Sequence, residues 1–288
     1  HVLEPLPARM RFDTIELAGC VRDRAAALRR RARRNRDTLR ALDMPAIILE
    51  YLGQRALGMT RVDQALSREQ KRPALAALGT VRRSAQAVSD GLQRGYRHYG
   101  GAVVDRQRIE EQLRALDCLR DLLGDTAASR LPALTPARRL HAVNQRLQDA
   151  EMPGPLRAFT ISPLLPAARD IRRARPPGKS IPFAPPEHNY PATGQYPVLE
   201  TAIVDIRQAH RGQDGLVYLR SAVRLKKGGA GTLFYGADGP VKVFVNGAAV
   251  GCQPQATNPL AADGYACAVA WRPGVNDVVL AIDTHGGQ

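Results

Sequence analysis

The side chains able to do chemistry are scattered along this chain in ways that restrict what they could do together. Its adjacent carboxylates, Glu110 and Glu111, fall in a helical pattern. Neighbours on a helix project about 100° apart, so the two do not face each other as an acid and base must, and both read as solvated positions. The six histidines, at 1, 98, 141, 188, 210 and 285, include no close pair at metal-ligand spacing, and no glycine-rich phosphate loop occurs. Of the four cysteines, Cys20 and Cys118 lie in or beside helical apolar stripes and read as small buried hydrophobes. Cys252 and Cys267 flank one loop and could bond in an oxidising compartment, although two free core thiols pattern the same way. No catalytic residue, metal site or cofactor is expected within the chain.

The elements that would position any site change character along the sequence. Leu17, Val21, Leu28, Ala32, Leu39 and Leu42 recur at helical spacing over residues 14–43, with arginine on the other face. Pro45 suits the first turn of a second helix reaching about Ser67, and Pro73 that of a third ending at Tyr99-Gly100-Gly101. A fourth is predicted over 105–123, with Gly124 as its C′ residue, and a fifth from Thr135-Pro136. Such stripes are buried when antiparallel helices pack as a bundle, here assigned to residues 1–152. Residues 153–197 hold eleven of the 21 prolines and read as an extended linker laid along its neighbours.

From 198 onward the period changes to two. Strands are predicted over 198–206, 215–225, 232–235, 241–245, 265–271 and 277–282. The clearest signal is Phe234 to Gly251, where Val241, Val243 and Val245 alternate with Lys242, Phe244 and Asn246. Asn246-Gly247 then turns the chain, since both central residues of a type I′ turn need positive φ. The fold class is therefore α+β, a helical bundle followed by an antiparallel β-sandwich at 198–288.

The order YGADGPVKVFVNG, then TNPLAADG, then VAWRPGVNDVVLAI resembles the galactose-binding-like β-sandwich, a jelly roll, that accompanies catalytic domains in multidomain glycoside hydrolases. The matching positions are Asn246, Gly247, Pro273, Gly274 and Asn276, and the β-N-acetylhexosaminidase-like group is favoured. The resemblance implies a further strand beyond Gln288 and a catalytic barrel elsewhere in a longer protein; the adjacent Asp-Glu pair of that group's barrel does not occur in this chain. It also implies sugar contact through loops at one end, with a ring stacking on a pyranose and Asn or Asp reading hydroxyls. Tyr235, Asn258, Asp263 and Trp271 are the candidates, with Asp238 and Tyr265 beside them. Against this, Tyr265, Cys267, Val269 and Trp271 alternate with alanines, which also makes Trp271 a core residue, and Asp238 and Asp263 precede glycines as turn formers do.

Charge tests the other classes of function. The formal net charge is +15, all of it in residues 1–180, and only five of the 42 basic residues are lysine. An arginine-rich composition weakens a nucleic-acid inference, and the arginines are not interleaved with aromatics. The alternatives to a carbohydrate-binding or domain-supporting accessory are thus a basic adaptor for nucleic acid or an acidic partner, and a purely structural module. No apolar run has the length of a membrane span, and no signal peptide is evident at the start. His1 precedes a helical pattern and reads as a cut end, not as a copper ligand. Any export signal to a periplasmic or secreted location would lie upstream.

Overall fold

The computed structural model describes residues 8–32, 34, 42–95, 101–168, 170–186, 204, 206–255 and 263–284. The chain is α+β and divides into two compact units, His1–Thr135 and Pro136–Gln288.

The first unit contains α1 (Ala8–Arg31), α2 (Asp43–Ser67), α3 (Lys71–Gly95) and α4 (Gly101–Asp125), followed by a 3-10 turn at Ala128–Ala133. Each helix packs on its neighbours in sequence. Leu78, Val81 and Val88 of α3 and Leu116, Leu119 and Leu123 of α4 are buried at the seams. Helices α2 and α3 approach so closely that a Cβ at Gly58 would lie 2.2 Å from Val81 Cγ2. The first helix departs from its apolar pattern. Leu17 and Leu28 are 56% and 54% exposed, whereas Ala18 and Ala25 are buried. Small residues let the α1 backbone come close to α2, and the Arg22–Glu50 and Arg29–Asp43 ion pairs bracket that contact. Cys20 consequently lies on the exposed side and Cys118 is half-buried, which corrects their reading as buried hydrophobes. Helix α4 runs through Gly124, and the helix ends expected at 32–43 and 96–101 fall largely outside the described residues.

The second unit begins with α5 (Pro136–Glu151) and contains β1 (Thr160–Ile161), α6 (Ile206–Ala209), β2 (Leu216–Leu225), β3 (Gly229–Tyr235), β4 (Val241–Val245), β5 (Ala248–Gln253), β6 (Tyr265–Trp271) and β7 (Gly274–Asp283). One antiparallel sheet has the order β1-β2-β7-β4-β5 and a second pairs β3 with β6. The strand expected at 198–206 falls mostly outside the described residues, and Ile206 opens α6 instead. Alternation decides which side chains meet. Val217, Leu219, Val241, Val243, Val245, Val278 and Ile282 from the larger sheet join Tyr235, Cys267 and Val269 from the smaller in one core.

The other face of the larger sheet is covered by the proline-rich segment. Ile171 and Ala174 pack with Tyr218, Phe244, Val279 and Ala281, flanked by Leu165, Ile181 and Phe183. Earlier in that segment β1 pairs with β2, placing Ile161 opposite Leu219 and, with Phe159, in the core between the sheets. Helix α5 is fixed to the same layer by Gln148, which is fully buried. Its Oε1 accepts from the Arg157 and Ala158 amides at 2.8 and 3.0 Å, and its Nε2 donates to the Ala222 carbonyl at 2.8 Å. A buried amide must find such partners or pay for desolvation.

Candidate functional site

The candidate residues lie on and around the two-stranded β3–β6 sheet, whose register places Tyr235 opposite Tyr265 at one end and Gly229 opposite Trp271 at the other. Seven residues of strand separate these ends by roughly 20 Å. Tyr235 and Trp271 therefore cannot touch the same sugar ring.

The Trp271 end is closed by hydrogen bonds. Asn276 is fully buried. Its Oδ1 accepts from the Arg272 amide and from Asn246 Nδ2, both at 2.9 Å, and its Nδ2 donates to the Arg272 carbonyl at 2.8 Å. Asn246 Oδ1 accepts from the Asp277 amide at 3.0 Å. Asn246 and Gly247 have φ of 51° and 82°, the conformation that a type I′ turn requires. The indole of Trp271 covers Gly231, where a Cβ would come within 2.8 Å of Nε1. Trp271 is half-buried and packs against the core between the sheets.

The opposite end carries Tyr235, Tyr265 and Asp263. Tyr235 is buried, its ring centroid 5.6 Å from that of Tyr265. Its phenol is pushed above its ordinary pKa by burial, then by the thiols of Cys267 and Cys252 and by Tyr265. The phenolic oxygen reaches over Gly251, where an added Cβ would lie 2.9 Å away. Asp263 is exposed and holds φ at 56°, a conformation uncommon outside glycine. Asn258 lies outside the described residues. Asp238 is half-buried beside Gly239, whose Cβ position is 2.4 Å from the Asp283 carbonyl oxygen, so glycine is obligatory in that turn.

Between the ends, the two strands present opposite characters on their two faces. Leu233, Tyr235, Tyr265, Cys267, Val269 and Trp271 face the core. The outward residues form the pairs Ala230–Ala270, Thr232–Ala268 and Phe234–Ala266, and all six are exposed. Phe234 stands 57% exposed on a floor of alanine methyls, one residue pair from the Tyr235–Tyr265 end. A flat apolar surface with one aromatic ring and a hydroxyl at Thr232 suits stacking of a ligand's C–H face.

No family model matches the chain, and no curated protein does. A β-glucuronidase from Faecalibacterium prausnitzii is similar over 44% of this chain and 20% of its own, at 15% identity and a TM-score of 0.29. The chain thus spans about a fifth of that protein's length.

The remaining reactive groups do not converge on the platform. Cys252 and Cys267 are both free, the first exposed and the second buried. Gly251, not Cys252, stands against Cys267, its ideal Cβ 3.3 Å from that of Cys267. Strand alternation turns Cys252 to the other side. Burial pushes the Cys267 thiol above its ordinary pKa, which disfavours a thiolate. His141 is held below its usual range by burial, opposed by a contact from Nδ1 to the Phe159 carbonyl at 3.1 Å. His210 is likewise lowered by burial. Glu110 and Glu111 are half-buried on α4. Among the described residues, no group of three or more His, Cys, Asp or Glu is arranged to hold a metal, and no helix is long and apolar enough to cross a membrane.

Phe234 and its alanine floor are the residues that sequence reasoning missed. The signal was present in the alternation of Ala266, Ala268 and Ala270 with the inward set, which assigns a second, outward face to the same strands.

Proposed function

We propose that the β unit is a non-catalytic carbohydrate-binding accessory of a larger glycoside hydrolase. The two sheets, with one core between them, are read as a galactose-binding-like β-sandwich at 198–288, preceded in the chain by the helical region 1–152 and the segment 153–197. The observation that carries the reading is the exposed Phe234 on the outer face of β3–β6, paired across the strands with Ala266 and neighboured by Thr232 and Ala268. A pyranose stacks its C–H face on such a ring. Asp263, and Asn258 five residues before it in the sequence, supply hydroxyl contacts in this scheme. Tyr235 and Trp271, which face the core, act by holding the platform flat rather than by touching sugar.

An open platform encloses little of its ligand, so affinity is expected to be weak, on the order of −4 to −5 kcal/mol, or high micromolar to millimolar. Affinity electrophoresis through gels containing neutral polysaccharides, run beside aryl glycoside assays, tests the reading. Retarded migration without turnover is expected. Turnover by this chain alone, or migration unchanged by every polysaccharide, overturns it.

A further inference from the structure

The second unit carries a formal net charge of +6, of which +4 falls within the ten residues 171–180. Local structure explains how so much charge is held in one place. Asp170 caps the 3-10 turn at Ile171–Arg173, its Oδ1 accepting from the Arg172 amide at 3.0 Å. Ile171 and Ala174 are buried against the larger sheet, and the residues between and after them, Arg172, Arg173, Arg175 and Lys179, are exposed. Three backbone carbonyls of this stretch are tied to the sheet beneath. Lys242 Nζ donates to the carbonyls of Arg172 and Ala174 at 2.5 and 2.8 Å, and Tyr218 donates from its hydroxyl to the Arg175 carbonyl at 2.9 Å.

A solvated charged face needs no such anchoring, and placing the Lys242 ammonium beneath an arginine turn raises the local positive potential further. Anchored through its backbone, the turn loses little conformational entropy when its guanidinium groups engage a ligand. Guanidinium forks match carboxylate and sulfate oxygens in pairs. Asp170 Oδ2 lies 3.9 Å from Arg172 Nη1 and offsets part of one charge.

We propose that residues Arg172, Arg173 and Arg175, with Lys179, form a binding surface for acidic polysaccharide, a chain bearing uronate or sulfate groups. The choice of polysaccharide over nucleic acid rests on the carbohydrate-binding reading above and on the aromatic side chains at hand. Single-stranded bases need exposed rings for stacking, whereas Phe183 is half-buried with the Arg220 guanidinium 5.5 Å over its ring, and Tyr218 is buried with its hydroxyl engaged.

The test measures binding of the full chain to polygalacturonate, chondroitin sulfate, a neutral glucan and a duplex DNA across a range of salt. Three variants accompany the parent: the triple substitution Arg172→Ser, Arg173→Ser, Arg175→Ser; a control of Arg30→Ser with Arg31→Ser; and Phe234→Ala. Because the anchors are backbone carbonyls, the triple variant keeps its fold, as circular dichroism will check. Affinity for an acidic polysaccharide is expected to fall about tenfold or more in the triple variant, with a shallower salt dependence as fewer counterions are released. The control is expected to bind acidic polysaccharide within about twofold of the parent on the same grounds, and Phe234→Ala is read against the neutral glucan. Equal binding by the triple variant and the parent overturns the proposal, as does tighter binding of DNA than of either acidic polysaccharide through these arginines. Loss of neutral-glucan binding in Phe234→Ala alone speaks only to the platform, so the two readings fail separately.

Discussion

The two ends of the β3–β6 sheet are built from similar turn residues and do different work. At the Trp271 end, Asn246-Gly247 and the 272–276 turn exchange hydrogen bonds through buried Asn276, and the indole lies over Gly231. The side-chain amide of Asn276 is bonded on both its oxygen and its nitrogen, and little is left to offer a ligand. At the Tyr235 end, Asp263 holds a left-handed conformation in the open and Phe234 projects from the outer face. Buried, satisfied polar groups mark the end that holds the fold together, and an exposed ring beside a strained polar turn marks the end proposed to bind. The same contrast separates the two faces of β3 and β6, one packed with valine and aromatic rings and the other paved with alanine.

Removing support for both ends at once is expected to have the largest effect. Deleting residues 136–186 takes away Gln148, Phe159 and Ile161 and bares the face now covered by Ile171 and Ala174. Residues 136–288 should unfold cooperatively as an isolated piece, whereas 198–288 alone should not, as near-ultraviolet circular dichroism and denaturant melts will register. Next comes Asn276→Ala, which strips partners from the Arg272 amide and carbonyl and from Asn246. A loss of roughly 3 kcal/mol or more in denaturant unfolding is expected, with sugar binding of the folded protein unchanged. Gly247→Val forces a β-branched side chain into the left-handed region, and a loss of about 1–3 kcal/mol is expected by the same measurement.

A smaller effect belongs to Tyr235. Its pKa is raised in the folded protein, so the folded state holds the phenolic proton more tightly than the unfolded chain does. Stability is therefore fully present below the ordinary tyrosine value of about 10 and declines as pH rises above it. Tyr235→Phe should flatten part of that decline in alkaline melts. An unchanged slope would show that the other raised groups, Tyr51, Tyr218 and Cys267, account for it.

Much of this architecture was legible in the sequence wherever local chemistry admitted one solution. Alternation located β4 at Val241–Val245 and β6 at Tyr265–Trp271 to the residue, and Asn246-Gly247 adopts the predicted positive φ. Local pattern failed where packing chose between options it could not rank. Leucines set the apparent stripe of α1, but close approach to α2 selected Ala18 and Ala25. Strand β5, Ala248–Gln253, has few β-branched residues and forms because β4 offers it a partner. The prolines of 153–197 signalled extension without showing that Ile161 and Ile171 would each reach a hydrophobic core. Gln148 reads as one more polar helix position until three backbone groups converge on it. For the candidate site, the resemblance pointed to Tyr235 and Trp271 as stacking rings, and the pairing register shows that Phe234 is the ring on the outward face.

Phe234 is the side chain whose removal separates binding from folding most cleanly. Being mostly exposed, it should contribute within about 0.5 kcal/mol to stability, so Phe234→Ala is expected to melt with the parent. In affinity electrophoresis against neutral polysaccharides, the parent should be retarded and Phe234→Ala should migrate as though no polysaccharide were present. Retardation of the variant equal to that of the parent would contradict the account, because the platform would then have no part in binding.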